Sequence, residues 1–283
     1  MTRRATFWTL AMVALCALAA IWHWHALPAK DAGGVLIAGG DSGGLPRSAP
    51  ELEGFDAKAL QEAGARAFSQ GSSALLVMRH GHLLYERYER GTDVSTPVAG
   101  GELAQALLVM AAGIAVVHDG MIMPDSPLDP ERVAAAIAAA SGRSYPAFLS
   151  RHIWQPLHAA PAYWTASAVR ARCIDWMRVG ELLLHDGRFE GTQVVQPGWL
   201  ARHSSQLWGP GVETAANGLL TLHGTGSTRL WLAPRLDLAI LRVAGAPPPG
   251  AAVDETIARA IIETLRDRPA TGGSSLNDLV PGH

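Results

Sequence analysis

The chain has 283 residues and a formal net charge of −2, with 48% apolar and only 17% charged residues. That composition excludes a chain disordered throughout, and the near balance of charge offers no basic face for nucleic acid. Two cysteines, Cys16 and Cys173, exclude a disulfide scaffold and a Cys-rich zinc module.

The first predicted element is a membrane segment. Met1-Thr-Arg-Arg4 precedes an uncharged, mostly apolar run from Ala5 to Trp22, followed by His23-Trp24-His25. A basic start, enough apolar length to cross a bilayer and flanking tryptophans predict a single-pass transmembrane anchor over residues 1–27. The alternative is a cleaved signal peptide, with the small residues of Ala26-Leu-Pro-Ala29 available for processing. On the anchor reading the chain sits in a bacterial inner membrane, and on either reading the remainder faces the periplasm or cell exterior. Residues 28–50, rich in Gly, Pro, Ser and Ala, read as a flexible linker. Within it, Gly40-Asp41-Ser42-Gly43-Gly44 imitates the nucleophile string of chymotrypsin-like proteases. That reading is set aside, because only the anchor and linker precede it and neither could supply a His and an Asp on a folded barrel.

The folded domain is expected over 51–267, with 268–283 a disordered tail. Ala74–Arg79 and Leu83–Glu89 are β-rich and flank a hairpin turn at His80-Gly81-His82. Gly100–Asp119 is apolar almost all round, which predicts a buried helix closed by Gly120. A second helix is predicted to start at Asp129-Pro130 and run to Ser141-Gly142, and Ser144 to cap a third that ends near Pro156. Ile174–His185 reads as amphipathic and stops at Asp186-Gly187. After Asn217-Gly218 come three β-type runs, Leu219–His223, Arg229–Ala233 and Leu236–Val243, then an amphipathic helix marked by Val253, Ile257, Ile261 and Leu265. Strands at both ends of a helical middle predict an α/β fold whose antiparallel sheet, flanked by helices, is completed by the two ends of the domain.

Five stretches in this order resemble the serine β-lactamase / D-alanyl-peptidase superfamily, and within it the β-lactamase-related esterases and amide hydrolases such as the aminohexanoate-dimer hydrolases. They are Ala74–Gly91, Pro97–Leu128, Ser141–Leu157, Ala171–Trp199 and Gly218–Val243. The fourth is the most diagnostic, similar to the family's A-x-x-x-D-W-x-R-x-G-x-L-x-x-x-D-G-x-x-x-G segment. The resemblance implies a trimmed β-lactamase-like domain and three motifs for its chemistry. The first is S-x-x-K at the start of the buried helix, where a serine attacks a carbonyl and a lysine one turn on takes its proton. Aligned on Gly113-Ile114-Ala115, the serine position falls on Glu102 and the lysine position on Gln105. The lysine census makes the absence independent of alignment: the only lysines are Lys30 and Lys58, and Leu27 and Phe55 stand three residues before them.

The second motif, Y-x-N or S-x-N, is missing as well. None of Tyr85, Tyr88, Tyr145 and Tyr163 has Asn two residues on, and the sole S-x-N is Ser275-Leu-Asn277 in the tail. The resemblance implies a considerably longer helical region where this chain has only residues 119–155, so a deletion explains the loss. The third motif, K-T-G or H-x-G on an edge strand, has a counterpart in His223-Gly-Thr-Gly226, which includes Thr225; a Gly-rich strand turn explains the string equally well.

Glu102 has two readings. As a first-turn acid it is stabilised by the helix macrodipole by roughly 0.3–1 kcal/mol; as a functional group it is a carboxylate base or ligand-binding anion in a remnant pocket. The histidines form no metal pattern, and neither a metal nor a cofactor is expected. Asp175, Trp176 and Arg178 read as structural members of the diagnostic segment. The tryptophans read as membrane interface and core.

No catalytic residue is expected, then, and Glu102, Gln105, His223 and Thr225 mark the degenerate pocket. The leading expectation is a catalytically inactive pseudo-hydrolase, membrane-anchored, binding an unidentified ligand or protein partner and no nucleic acid. The alternatives are an active esterase or amidase with a non-standard site, and a structural subunit of a membrane complex.

Overall fold

The computed structural model describes residues 34–101, 103–123, 130–165, 168–207, 212–214, 218–245 and 252–266. The expected membrane segment, Glu102 and the expected tail lie outside these residues. Among the described residues no helix is long and apolar enough to cross a membrane.

The first described strand is Val35–Ile37 (β1), which corrects the expected flexible linker over its described part, residues 34–50. Ile37 is fully buried, Gly40 N–H donates to the Ala159 carbonyl at 2.9 Å, and Leu83 N–H donates to that of Pro46 at 2.8 Å. A short apolar run becomes a strand when a waiting sheet edge satisfies its backbone groups, a tertiary effect that local composition does not reveal. Ala57–Ser69 (α1) is a helix not anticipated from the sequence. Asp56 caps it by accepting from Ala59 N–H at 2.9 Å, and Leu60, Ala63, Ala67 and Phe68 make its buried stripe.

Ser72–Arg79 (β2) and His82–Tyr88 (β3) form the expected hairpin. Its turn is His80-Gly81, at φ 50° and 75°, and His82 already belongs to the returning strand. Pro97–Ala99 (β4) leads into Leu103–His118 (α2), in which every residue from Leu103 to Ala115 except Gln105 is buried. Pro130–Ser141 (α3) starts with proline, whose missing N–H costs nothing in the first turn. Tyr145–Leu149 (α4) continues as a π-helical turn over Ser150–Trp154. Ser144 occupies the cap position of α4 with extended backbone, but its side chain makes no capping bond.

Ala162–Thr165 (β5) and Ala168–Arg172 (β6) precede Cys173–Leu184 (α5). There the amphipathic reading fails: every residue from Cys173 to Leu182 is buried, Asp175, Arg178 and Glu181 included. Arg188–Phe189 (β7) and Thr192–Gln193 (β8) make a small ribbon before Trp199–Leu207 (α6). Val212–Thr214 (β9), Leu220–His223 (β10), Arg229–Ala233 (β11), Leu238–Ala244 (β12) and Ala252–Ile262 (α7) complete the order.

The principal sheet is antiparallel throughout, in the order β3-β2-β12-β11-β10-β9, so the two ends of the domain meet where β2 pairs with β12. A second sheet, β1-β5-β6-β4, is also antiparallel. Alternation along β2 shows why its run is continuously apolar. Leu75 and Val77 pack with Phe55, Phe68, Ile257 and Ile261 under α1 and α7, whereas Ala74, Leu76 and Met78 join the core around α2 and α5. Both faces of the principal sheet are therefore covered, giving three layers.

Candidate functional site

The approach to α2 is set by two glycines. Gly100 N–H donates to Val169's carbonyl at 2.8 Å, and a Cβ on Gly100 would stand 2.3 Å from the Trp176 ring. Gly101 has φ 53°, and a Cβ there would meet Thr225 N at 2.7 Å and Thr225 Oγ1 at 2.9 Å. Only glycine combines this backbone with so close a neighbour. The start of α2 is thereby pressed against the turn between β10 and β11, which is His223-Gly-Thr-Gly226. That turn is held by Gly224 N–H donating to Thr228's carbonyl at 2.8 Å and Ser227 N–H donating to that of Gly245 at 3.0 Å.

Beside this junction lies a cleft of about 280 Å³. Gly101, Ala104, Gln105 and Leu108 line it from α2, Pro130 from α3, Tyr145 from α4 and Trp164 from β5. Tyr145 and Trp164 meet edge to face, with ring centroids 4.9 Å apart and planes at 76°. The Tyr145 side chain is buried, and its hydroxyl has no hydrogen-bond partner. Burial pushes that hydroxyl well above the usual tyrosine range, so it stays protonated. The described residues that line the cleft include no serine, threonine, cysteine or lysine and no charged side chain.

The diagnostic segment forms a polar core around Asp175. Asp175 accepts from Arg172 Nε at 2.8 Å, Arg178 Nη1 at 2.6 Å and Ala160 N–H at 3.3 Å. Arg178 also donates to the Gly43 carbonyl, which anchors the string that imitates a protease motif. Trp176 packs under Gly100 and crosses Trp154 edge to face at 6.3 Å. Cys173 is buried and its thiol is pushed up to about 12 by burial, so it is an inert core residue.

Of the positions singled out from the sequence, Gln105 stands in the cleft wall and Thr225 touches Gly101 at the junction. His223 ends β10, half-buried and in register with Arg229, and is not among the residues that line the cleft. Glu102 lies outside the described residues. No group of three or more His, Cys, Asp or Glu that could hold a metal occurs among the described residues. Sequence reasoning missed Tyr145 and Trp164 as site residues: Tyr145 was weighed only for a following asparagine, and Trp164 was counted with the core tryptophans. Nothing local marks either one, because the cleft brings them together from separate elements.

The arrangement defines a class. A buried helix that starts against an edge turn of an antiparallel sheet, with helices on both faces, is the β-lactamase / penicillin-binding-protein fold, and this chain has it. A protein from Bacillus anthracis assigned as a 6-aminohexanoate-dimer hydrolase superposes with TM-score 0.59 at 16% identity, covering 81% of this chain and 90% of that one. A Bacteroides dorei protein assigned as a β-lactamase gives 0.59 at 10% identity, covering 75% of this chain and 100% of that one. A penicillin-binding protein homologue from Caulobacter crescentus gives 0.54 at 12% identity, covering 78% and 100%. No family model and no curated protein matches the sequence.

Proposed function

We propose that the chain is a catalytically inactive member of the serine-hydrolase class with this fold, a domain that binds a ligand or a protein partner in its cleft without forming an acyl-enzyme. The observation that carries this reading is Gln105. The position that a proton-accepting lysine would fill is occupied by a carboxamide lining the cleft. A carboxamide nitrogen has no basic lone pair, so it cannot take the proton of a nucleophile or return it to a leaving group. No lysine follows Lys58 in the chain to replace it. The segment over residues 1–27 supports placing the domain outside a bacterial inner membrane, tethered to it.

The test is covalent labelling. Incubation of the purified chain with a fluorescent penicillin, and separately with a fluorophosphonate, is expected to give no adduct by gel fluorescence or intact mass. A stoichiometric adduct mapped to any serine overturns the proposal.

A further inference from the structure

The second sheet has one face in the core and one outside it. Ile37, Ala162, Val169 and Ala171 point inward and are buried. The alternate residues make a row across the strands, in which Leu36 of β1 stands beside Tyr163 of β5, Tyr163 beside Arg170 of β6, and Arg170 beside Ala99 of β4. None of these four is buried, and Leu36 is 51% exposed. None of the four strands contains an Asp or Glu. Arg172 shares this face, but its charge is met by Asp175 at 2.8 Å. Arg170 has no such partner. Its Nη2 donates to the Pro97 carbonyl at 3.2 Å, its Nε is buried without a hydrogen bond, and no carboxylate pairs with it among the described residues.

An apolar side chain, a tyrosine and an unpaired cation in one row suit the surface of an anionic bilayer. There a leucine enters the acyl boundary, a tyrosine stays at headgroup level and an arginine meets phosphate. The chain keeps that surface within reach. Only seven residues, 28–34, separate the expected membrane segment from Val35, and fully extended they span at most about 25 Å. So short a connection would hold the β1 edge near the headgroups at high local concentration. We propose that the outer face of the second sheet, through Leu36, Tyr163 and Arg170, docks on the anionic leaflet from which the chain emerges. The inference rests on the tethered reading above and gives the domain a membrane-facing side.

Quenching of a fluorescent label by lipid tests it on the full chain. In a Cys16→Ser background the one native cysteine left is the buried Cys173. An NBD label is then attached at Leu36→Cys or, as the control, at Ala65→Cys, an exposed position on α1 beyond the principal sheet. Each protein is reconstituted into phosphatidylcholine vesicles, with or without phosphatidylglycerol, that carry doxyl quenchers near the headgroups. Strong quenching is expected at position 36 with phosphatidylglycerol, weaker quenching there without it, and little at position 65 in either. Arg170→Gln should lower the ratio of docked to undocked label about fivefold, the worth of one basic residue at a membrane surface, while Arg170→Lys, which keeps the charge, should dock as the parent does. Quenching at 36 no greater than at 65, no dependence on phosphatidylglycerol, or an unchanged ratio in Arg170→Gln overturns the docking surface, even where the chain still floats with the vesicles after alkaline carbonate. Failure to float breaks the tethered reading and this proposal with it, so the two failures are distinguishable.

Discussion

Two buried polar groups are treated in opposite ways. Asp175 is fully buried and surrounded by three donors, from Arg172, Arg178 and Ala160. Tyr145 is also buried, and its hydroxyl has none. The first arrangement fixes structure: it ties β6, α5 and the segment at Gly43 into one unit. The second brings the folded state ring packing but no hydrogen bond. The polar core is thus fully satisfied at Asp175 and left open at Tyr145.

The sharpest way to break this comparison is Asp175→Ala. It leaves Arg178, 2% exposed, as a buried cation without its carboxylate, and should destabilise by about 3–5 kcal/mol, read as a fall in the urea midpoint with unchanged slope. Glu181, on the same helix, supplies a middle case. Burial first, then the negative charges of Glu190 and Asp237, raise its carboxyl to about 7, with Arg178 opposing weakly. A folded-state value above the unfolded one means the folded chain holds an extra proton between about pH 4.5 and about pH 7. Stability is then lost as pH rises through that window. Glu181→Gln should match the parent at pH 4 and exceed it at pH 8 by at most about 3 kcal/mol, measured by urea unfolding at both values.

Gly101→Ala comes next. The positive φ together with the approach of Thr225 should cost about 2 kcal/mol, and thermal unfolding would show it; an unchanged midpoint would mean that the junction between α2 and the β10–β11 turn is loose. Tyr145→Phe is the smallest effect and has the opposite sign. Removing a hydroxyl that has no partner should stabilise by up to about 1 kcal/mol. A clear loss of stability would show that the hydroxyl is structural after all, and would erase its contrast with Asp175.

Much of the fold was legible because its signals are local. The buried helix around Leu103–Ala115, the proline-started α3, the His80-Gly81 turn and the three closing strands follow from periodicity and turn chemistry. The second sheet was not legible. β1, β4, β5 and β6 are 3 to 5 residues long, too short to carry alternation, and each is a strand only because a neighbour satisfies its backbone. α5 differs for a related reason: Asp175 and Arg178 are buried as an ion pair and Glu181 is buried with them, which looks in sequence like a wet face. At the site, Gln105 could be placed by its distance from Gly113-Ile114-Ala115. Tyr145 and Trp164 could not, because an unmet hydroxyl is a property of everything around it.

The pairing of β1 has a mechanical corollary. Val35, the first residue of β1, is in register with Trp164, and Leu36 with Tyr163. Any pull on the preceding chain is therefore borne first by the rungs that hold the tryptophan in place, and prying these three residues loose would slacken the wall against which Tyr145 rests.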